Sequence, residues 1–178
     1  MAPREALAHL GSLVSYPDGD YRTRLDALLA GLAGDDPEAV RHLERFAERL
    51  DGLSTADLQE LYTRTFDLNP LCALEVGWHL YGEDYQRGAF LVRMRKALRD
   101  HGIPEDGELP DHLASMLRLA ARLEPDETAR LTVHALLPAL DKMLGSIEKA
   151  ESPFLPLVTA IRHLLAARMP AGRESLHA

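Results

Sequence analysis

The sequence predicts an all-α fold, and three observations carry that reading. Apolar residues recur at the i, i+3, i+4, i+7 spacing of an amphipathic helix from Leu7 to Leu165. Proline, glycine and short capping residues interrupt the pattern where helices are expected to end. No segment alternates apolar and polar residues as a half-buried strand does, and neither an Asn-Gly hairpin dipeptide nor a fixed-period repeat occurs. The expected architecture is a single-domain helical bundle over residues 1–178, with about seven to ten helices around one core.

The first helix follows Pro3 with Leu7, Leu10 and Val14 on one side, and Tyr16-Pro17-Asp18-Gly19 breaks it because the residue before proline is pushed out of the helical region. Leu25, Leu28, Leu29 and Leu32 mark the second. Asp36 is placed to cap the third, with Pro37 at its first position and Val40, Leu43, Ala47 and Leu50 as its apolar face. Ser54 is the N-cap of the fourth and Asp57 lies near its positive end, followed by Leu58, Leu61, Tyr62 and Thr65. Asn69-Pro70 stops that helix. Leu71 to Leu80, which holds the sole tryptophan, Trp78, is apolar on most sides and is expected to be buried in the bundle interior.

Asp84 is placed to cap a helix that turns Phe90, Met94, Ala97 and Leu98 inward and carries Arg87, Arg93, Arg95, Lys96 and Arg99 elsewhere. Gly102 ends it, since glycine adopts the left-handed end position without steric cost. A polar loop, Ile103 to Glu108, leads to Leu109-Pro110-Asp111 and a helix marked by Leu113, Met116, Leu117 and Ala120. A longer helical pattern runs from Asp126 to about Ala150, and Pro138 is expected to kink or split it. Ser152-Pro153 opens the last helix, with Phe154, Leu157, Val158, Ile161, Leu164 and Leu165 as its stripe and a frayed tail after Met169.

Composition narrows the function. The net charge of −8 repels phosphate backbones, which argues against nucleic acid and favours basic peptides. The acidity is uneven: residues 1–60 hold 12 acidic against 6 basic groups, whereas residues 61–103 are nearly balanced. One cysteine, Cys72, excludes an internal disulfide, and its apolar setting suggests an inert thiol. The first residues lack the basic segment and apolar run of an export signal, and no window approaches a membrane span, so a cytoplasmic protein without membrane insertion is expected.

Equipment for catalysis is not visible. No two histidines stand at the i, i+4 spacing of a zinc helix, and no phosphate loop or serine-hydrolase elbow occurs. His9, His42, His101, His134 and His163 read as partly exposed helical residues. Asp111-His112 is an acid and imidazole pair set at a helix start by Pro110, where Asp111 is expected to cap the following helix or face its dipole. A small helical metal-binding protein or enzyme using His79 and His112, or an adaptor for an unrelated helical partner, stays open on these residues alone.

Three strings in register decide between them. Leu61-Tyr62-Thr63-Arg64-Thr65-Phe66-Asp67-Leu68, His79-Leu80-Tyr81-Gly82-Glu83-Asp84-Tyr85-Gln86-Arg87-Gly88 and Glu108-Leu109-Pro110-Asp111-His112-Leu113 resemble the YxxTFDL, HLYGDxxxRG and ELPDYL or ELPDHL elements of the nitrate reductase assembly chaperones. These form the NarJ-type branch of the TorD-like redox enzyme maturation proteins. Tyr16-Pro17-Asp18 and Leu136-Leu137-Pro138-Ala139-Leu140 are similar to further segments of that branch. His112 stands where many of its members carry tyrosine.

The resemblance implies a cytoplasmic, non-enzymatic chaperone of TorD-like fold dedicated to one molybdoenzyme, a nitrate reductase or a relative of it. Its partner would be the apo catalytic subunit, including that subunit's N-terminal peptide, held while the molybdenum bis-guanine-dinucleotide cofactor is inserted and before membrane attachment or export. The chaperone itself would bind no cofactor and no metal, and would act as a monomer or homodimer. Tyr62, Phe66, His79, Tyr81, Arg87, Glu108, Pro110, Asp111 and His112 are the client-binding residues it implies. Within the strings, Gly82 and Gly88 are expected to shape a tight helix contact, and Arg87 to pair with Asp84 or Glu108.

Overall fold

The structure is a computed structural model, described here over residues 1–105 and 107–167. The frayed tail expected after Met169 lies outside them. Ten α-helices follow one another: α1 (Pro3–Leu13), α2 (Tyr21–Leu32), α3 (Pro37–Arg49), α4 (Thr55–Tyr62), α5 (Val76–Tyr81), α6 (Tyr85–Asp100), α7 (Leu113–Ala120), α8 (Pro125–Leu131), α9 (Leu137–Lys149) and α10 (Leu155–Ala167). No strand forms among the described residues, where the extended pairing is one isolated antiparallel bridge between Glu75 and His112.

The caps form as their sequence demands. Asp36 accepts from the Ala39 amide at 3.0 Å, and Asp84 from the Gln86 amide at 2.8 Å. Ser54 and Asp57 make a reciprocal capping box, each side chain accepting from the other's backbone amide. His163 is a partly exposed helical residue as expected, and its Nε2, 2.9 Å from Asp36 Oδ1, also ties α10 to the cap of α3.

α10 packs on α3 and α9, and α1 packs on α2 and α7. The approach of α1 to α7 is close enough that a Cβ on Gly11 would stand 3.0 Å from the Ala114 carbonyl oxygen. Aromatic rings fill the centre. Phe66 lies 4.9 Å from Phe154 and 5.0 Å from Tyr62, in the spacing range of favourable ring pairs.

Two expectations in the middle of the chain are corrected, and a third holds. Leu71 to Leu80 is not one buried segment: residues 68–75 form a turn-rich loop, Leu71 is 68% exposed, and only Cys72, Leu74 and the start of α5 enter the core. The pattern from Asp126 to about Ala150 is divided as expected near Pro138: a π-helical turn, Thr132–Leu136, separates α8 from α9 and leaves the proline in the first turn of α9. Ile103 is not part of a polar loop, since it is buried with Leu98, Leu119 and Leu123 in a small satellite core.

The glycines expected to mediate close contact are also not the ones that do. Nothing lies within 4 Å of a Cβ added at Gly82 or Gly88, and Gly82 is instead required by its φ of +56° at the end of α5. The tight contact is at Gly77, where a Cβ would come 2.6 Å from Asp111 Oδ2 and 2.9 Å from the Phe90 ring. Gly77→Ala is therefore expected to cost about 1–3 kcal/mol, as overpacking does. Gly88→Ala, exposed near the start of α6, is expected to gain about 0.5–1 kcal/mol. Paired urea melts check both signs.

Candidate functional site

Backbone hydrogen bonds join the third signature string to the segment that leads into α5. The Val76 amide donates to the Asp111 carbonyl at 2.9 Å and the Leu113 amide to the Leu74 carbonyl at 2.8 Å, on either side of the Glu75–His112 bridge. Pro110 helps to set the turn, in which the His112 amide donates to the Leu109 carbonyl at 2.9 Å. The short α5 and the start of α7 are thereby locked together.

Asp111 does not cap α7 as expected. Its Oδ2 accepts from the Gly77 amide in the first turn of α5 at 2.9 Å, while Oδ1 is buried without a hydrogen-bond partner among the described residues. The cap of α7 is His112, whose Nδ1 accepts from the Ala114 amide at 3.2 Å. Burial raises the Asp111 carboxyl above its ordinary range, against the opposing pull of the Gly77 amide and the Arg87 charge.

Beside this junction opens a cleft of about 420 Å³. Buried Phe66, Leu74 and His112 form its floor, with Ala73, Pro70 and Trp78 as walls. Asp67, Glu75 and Glu108 bring three carboxylates to it, and Arg87 brings one guanidinium. Arg87 forms no ion pair with Asp84 or Glu108. Its Cζ lies 5.4 Å from the centre of the Trp78 ring, a cation–π arrangement. Burial, with Glu75 and Asp67 nearby, raises the Glu108 carboxyl. A second π-helical turn, Thr63–Asp67, continues α4 and carries both Phe66 and Asp67 to the cleft.

Of the nine residues implied for binding, the cleft gathers Phe66, Arg87, Glu108 and His112. The others lie outside it. Tyr62 is buried, with its hydroxyl donating to the Val14 carbonyl at 3.0 Å. His79 Nε2 meets the Ala73 carbonyl at 2.7 Å, Tyr81 packs on Phe90, and Pro110 and Asp111 are buried behind the floor. Asp67, Glu75 and Trp78 were not among the expected site residues, although the lone tryptophan and Asp67, the one acid inside the first string, were visible signals. Cys72 is buried, which raises its thiol pKa. Among the described residues no group of three His, Cys, Asp or Glu side chains is placed to hold a metal ion.

Burial, then the Arg118 charge, pushes the His112 imidazole down to about 4. Its ordinary value is about 6.5, so the unfolded chain binds the proton more tightly. The stability that neutral His112 contributes is thus fully present above about pH 6.5 and is lost as pH falls toward about 4. His112→Asn keeps a capping acceptor but does not titrate. Between about pH 7 and about pH 5 the wild type is expected to lose about 2 kcal/mol relative to that variant, measured by denaturant unfolding at both values.

Comparison with known proteins agrees with this arrangement. The family profile described as "Nitrate reductase delta subunit" matches residues 30–160. A Bacillus subtilis protein named "Probable nitrate reductase molybdenum cofactor assembly chaperone NarJ" is 32% identical over 170 residues, covering 94% of this chain and 90% of the relative. The Escherichia coli K12 protein named "Nitrate reductase molybdenum cofactor assembly chaperone NarJ" is 26% identical, and the match covers 85% of this chain and 65% of that one. The "Nitrate reductase-like protein NarX" of Mycobacterium tuberculosis is 25% identical over 84% of this chain and 22% of its own length. With the profile spanning most of its length and a relative 32% identical over 94% of it, this chain belongs to the nitrate reductase delta subunit family, in its NarJ-type branch.

Proposed function

We propose that this protein is an assembly chaperone for the catalytic subunit of a molybdoenzyme, a nitrate reductase or a related enzyme. It holds the apo subunit while the molybdenum bis-guanine-dinucleotide cofactor enters, and it does so in the cytoplasm before membrane attachment or export. The cofactor is cargo of the client. The chaperone contributes binding and no bond-breaking step. Family membership and the names of the relatives support this reading.

The observation that carries it is the cleft and its surroundings. Next in sequence to the cleft residues Asp67, Pro70 and Glu108 stand Leu68, 73% exposed, Leu71, 68% exposed, and Leu109, 41% exposed. Leucines left in water beside a concave site mark a surface that a partner covers. The three carboxylates outnumber the single guanidinium, so the occupant that fits is a segment carrying both apolar and basic side chains. We assign that role to the N-terminal segment of the client. No helix of the described residues is long and apolar enough to cross a membrane.

Deleting the chain from its host is expected to leave the adjacent molybdoenzyme depleted of molybdenum and activity. Unchanged metal content by elemental analysis would overturn the proposal. Changing Leu68 and Leu71 together to serine is expected to weaken binding of the client's N-terminal peptide about tenfold in calorimetry, with the melting temperature unaltered, because exposed leucines contribute to an interface and not to the core.

A further inference from the structure

A second cavity, of about 600 Å³, opens between the start of α1, the end of α7, α8 and α10. Leu7, Ala120, Thr132 and Leu165, all buried, line it together with half-buried Ala129. The Thr128 hydroxyl at its side donates to the Ala120 carbonyl at 3.0 Å and is satisfied within the fold. The buried lining residues all sit in helical turns, whose peptide groups are paired along the helix, so the cavity offers a ligand apolar contact and few hydrogen bonds. Asp126, exposed in the first turn of α8, is the carboxylate that borders it among the described residues.

Arg4 borders this cavity and also a neighbouring one of about 380 Å³, where Arg118 and Arg122 join it. No carboxylate among the described residues lines that second space. Neutral oxygens hold the guanidiniums in place. Arg4 Nη2 donates to the Leu123 carbonyl at 3.0 Å, Arg118 Nη2 to the Ser15 hydroxyl at 2.9 Å, and Arg122 Nη1 to the His101 and Gly102 carbonyls at 2.7 and 2.8 Å. A guanidinium has five N–H donors, so these tethers on Arg4 and Arg122 fix the group without using its capacity. Glu124 stands 3.8 Å from Arg4 with both side chains more than half exposed, a pair of little worth that an anion bound at Arg4 can replace.

We infer that the two cavities form one binding site for a small amphiphile of the fatty-acid class, with its aliphatic chain in the apolar cavity and its carboxylate at Arg4 and Arg122. Arg4 is common to both spaces and draws the anionic head to the arginine side, while Asp126 repels it from the other. Shape separates this occupant from larger acidic ones. Two turns of a partner helix, about 10 Å across and about 11 Å long, fill roughly 850 Å³, more than the apolar cavity holds. An extended peptide would leave its own amides unpaired against helical walls, whereas an aliphatic chain has none to satisfy. Another copy of this chain could meet the arginines by charge but would bring a broad surface, with nothing to fill the apolar space. The volume is that of a small-molecule site. No residue of the cleft lines either cavity, so the inference does not rest on the proposed client.

The test titrates the full chain in a calorimeter with decanoate and with decyltrimethylammonium, a probe of the same chain and opposite charge, both below micelle-forming concentrations. Decanoate is expected to bind as one molecule per chain and to raise the melting temperature by mass action, and the cation to bind at least about tenfold more weakly. Arg4→Gln is expected to weaken decanoate binding about tenfold and to leave the melting temperature of the free protein nearly unchanged, since Arg4 is exposed. Ala129→Leu places a helix former in the cavity, so decanoate binding is expected to be lost while the melting temperature of the free protein holds or rises. Decanoate binding unchanged in either variant, equal binding of the cation, or no binding by the wild type sinks the inference. If decanoate does not bind but Ala129→Leu abolishes retention of the apo catalytic subunit, the cavity is a client surface; if it abolishes retention on vesicles of anionic lipid, the cavity is a membrane contact. Either result overturns the inference. Binding of the client's N-terminal peptide is expected to be equal in all three proteins, so the inference can fail while the proposed function stands.

Discussion

The structure around the cleft depends on one buried contact, the Asp111 carboxylate against the Gly77 amide. It joins segments 34 residues apart in the chain and stands at a position where any side chain larger than hydrogen on residue 77 would collide with it. Two backbone hydrogen bonds flank it and turn the loop before α5 and the approach to α7 into a short antiparallel pair. α5 has six residues, too few to be stable alone, so this junction and the stack of Arg87 on Trp78 hold it in place. Leu74, Glu75 and His112, which come from the two joined segments, are cleft residues for that reason.

The same contact explains how a carboxylate and an imidazole adjacent in sequence come to serve different elements. Asp111 faces α5 and is removed from water, whereas His112 caps α7 and keeps part of its ring on the cleft floor. Neither is arranged to transfer a proton to a substrate. Around them the cleft gathers carboxylates that lack a matching number of cations, and leucines lie exposed beside it. Charge and apolar surface are therefore left open at one place, which is what the proposed role of holding a client subunit requires.

The protein is electrostatically two-sided. Its acidity is weighted to the loops between the first helices, to α4 and to the cleft, while α6 carries five cationic side chains against one acid. The buried side of α6 closes the cleft through Arg87, and its outer side carries Tyr85 and Val92.

The sequence by itself determined the helices and most of their ends. Caps at Asp36, Ser54 and Asp84 act within four residues of themselves, and the stripe from Phe154 to Leu165 needs only the helical period to be read as core. It also carried the three strings that mark the family. Tertiary structure alone decided what those strings do. Asp111 reads locally as a cap for the next helix, and only a chain reversal brings it to Gly77; Leu71 reads as buried, and only the absence of anything packed over its loop leaves it in water. Tyr62 and Phe66 share one string and pack together in the core, yet only Phe66 also reaches the cleft, whose other residues come from distant parts of the chain. Local chemistry acts over one helical turn and is written in adjacent residues, whereas a cleft is made by residues that are distant in sequence and meet only when the helices pack.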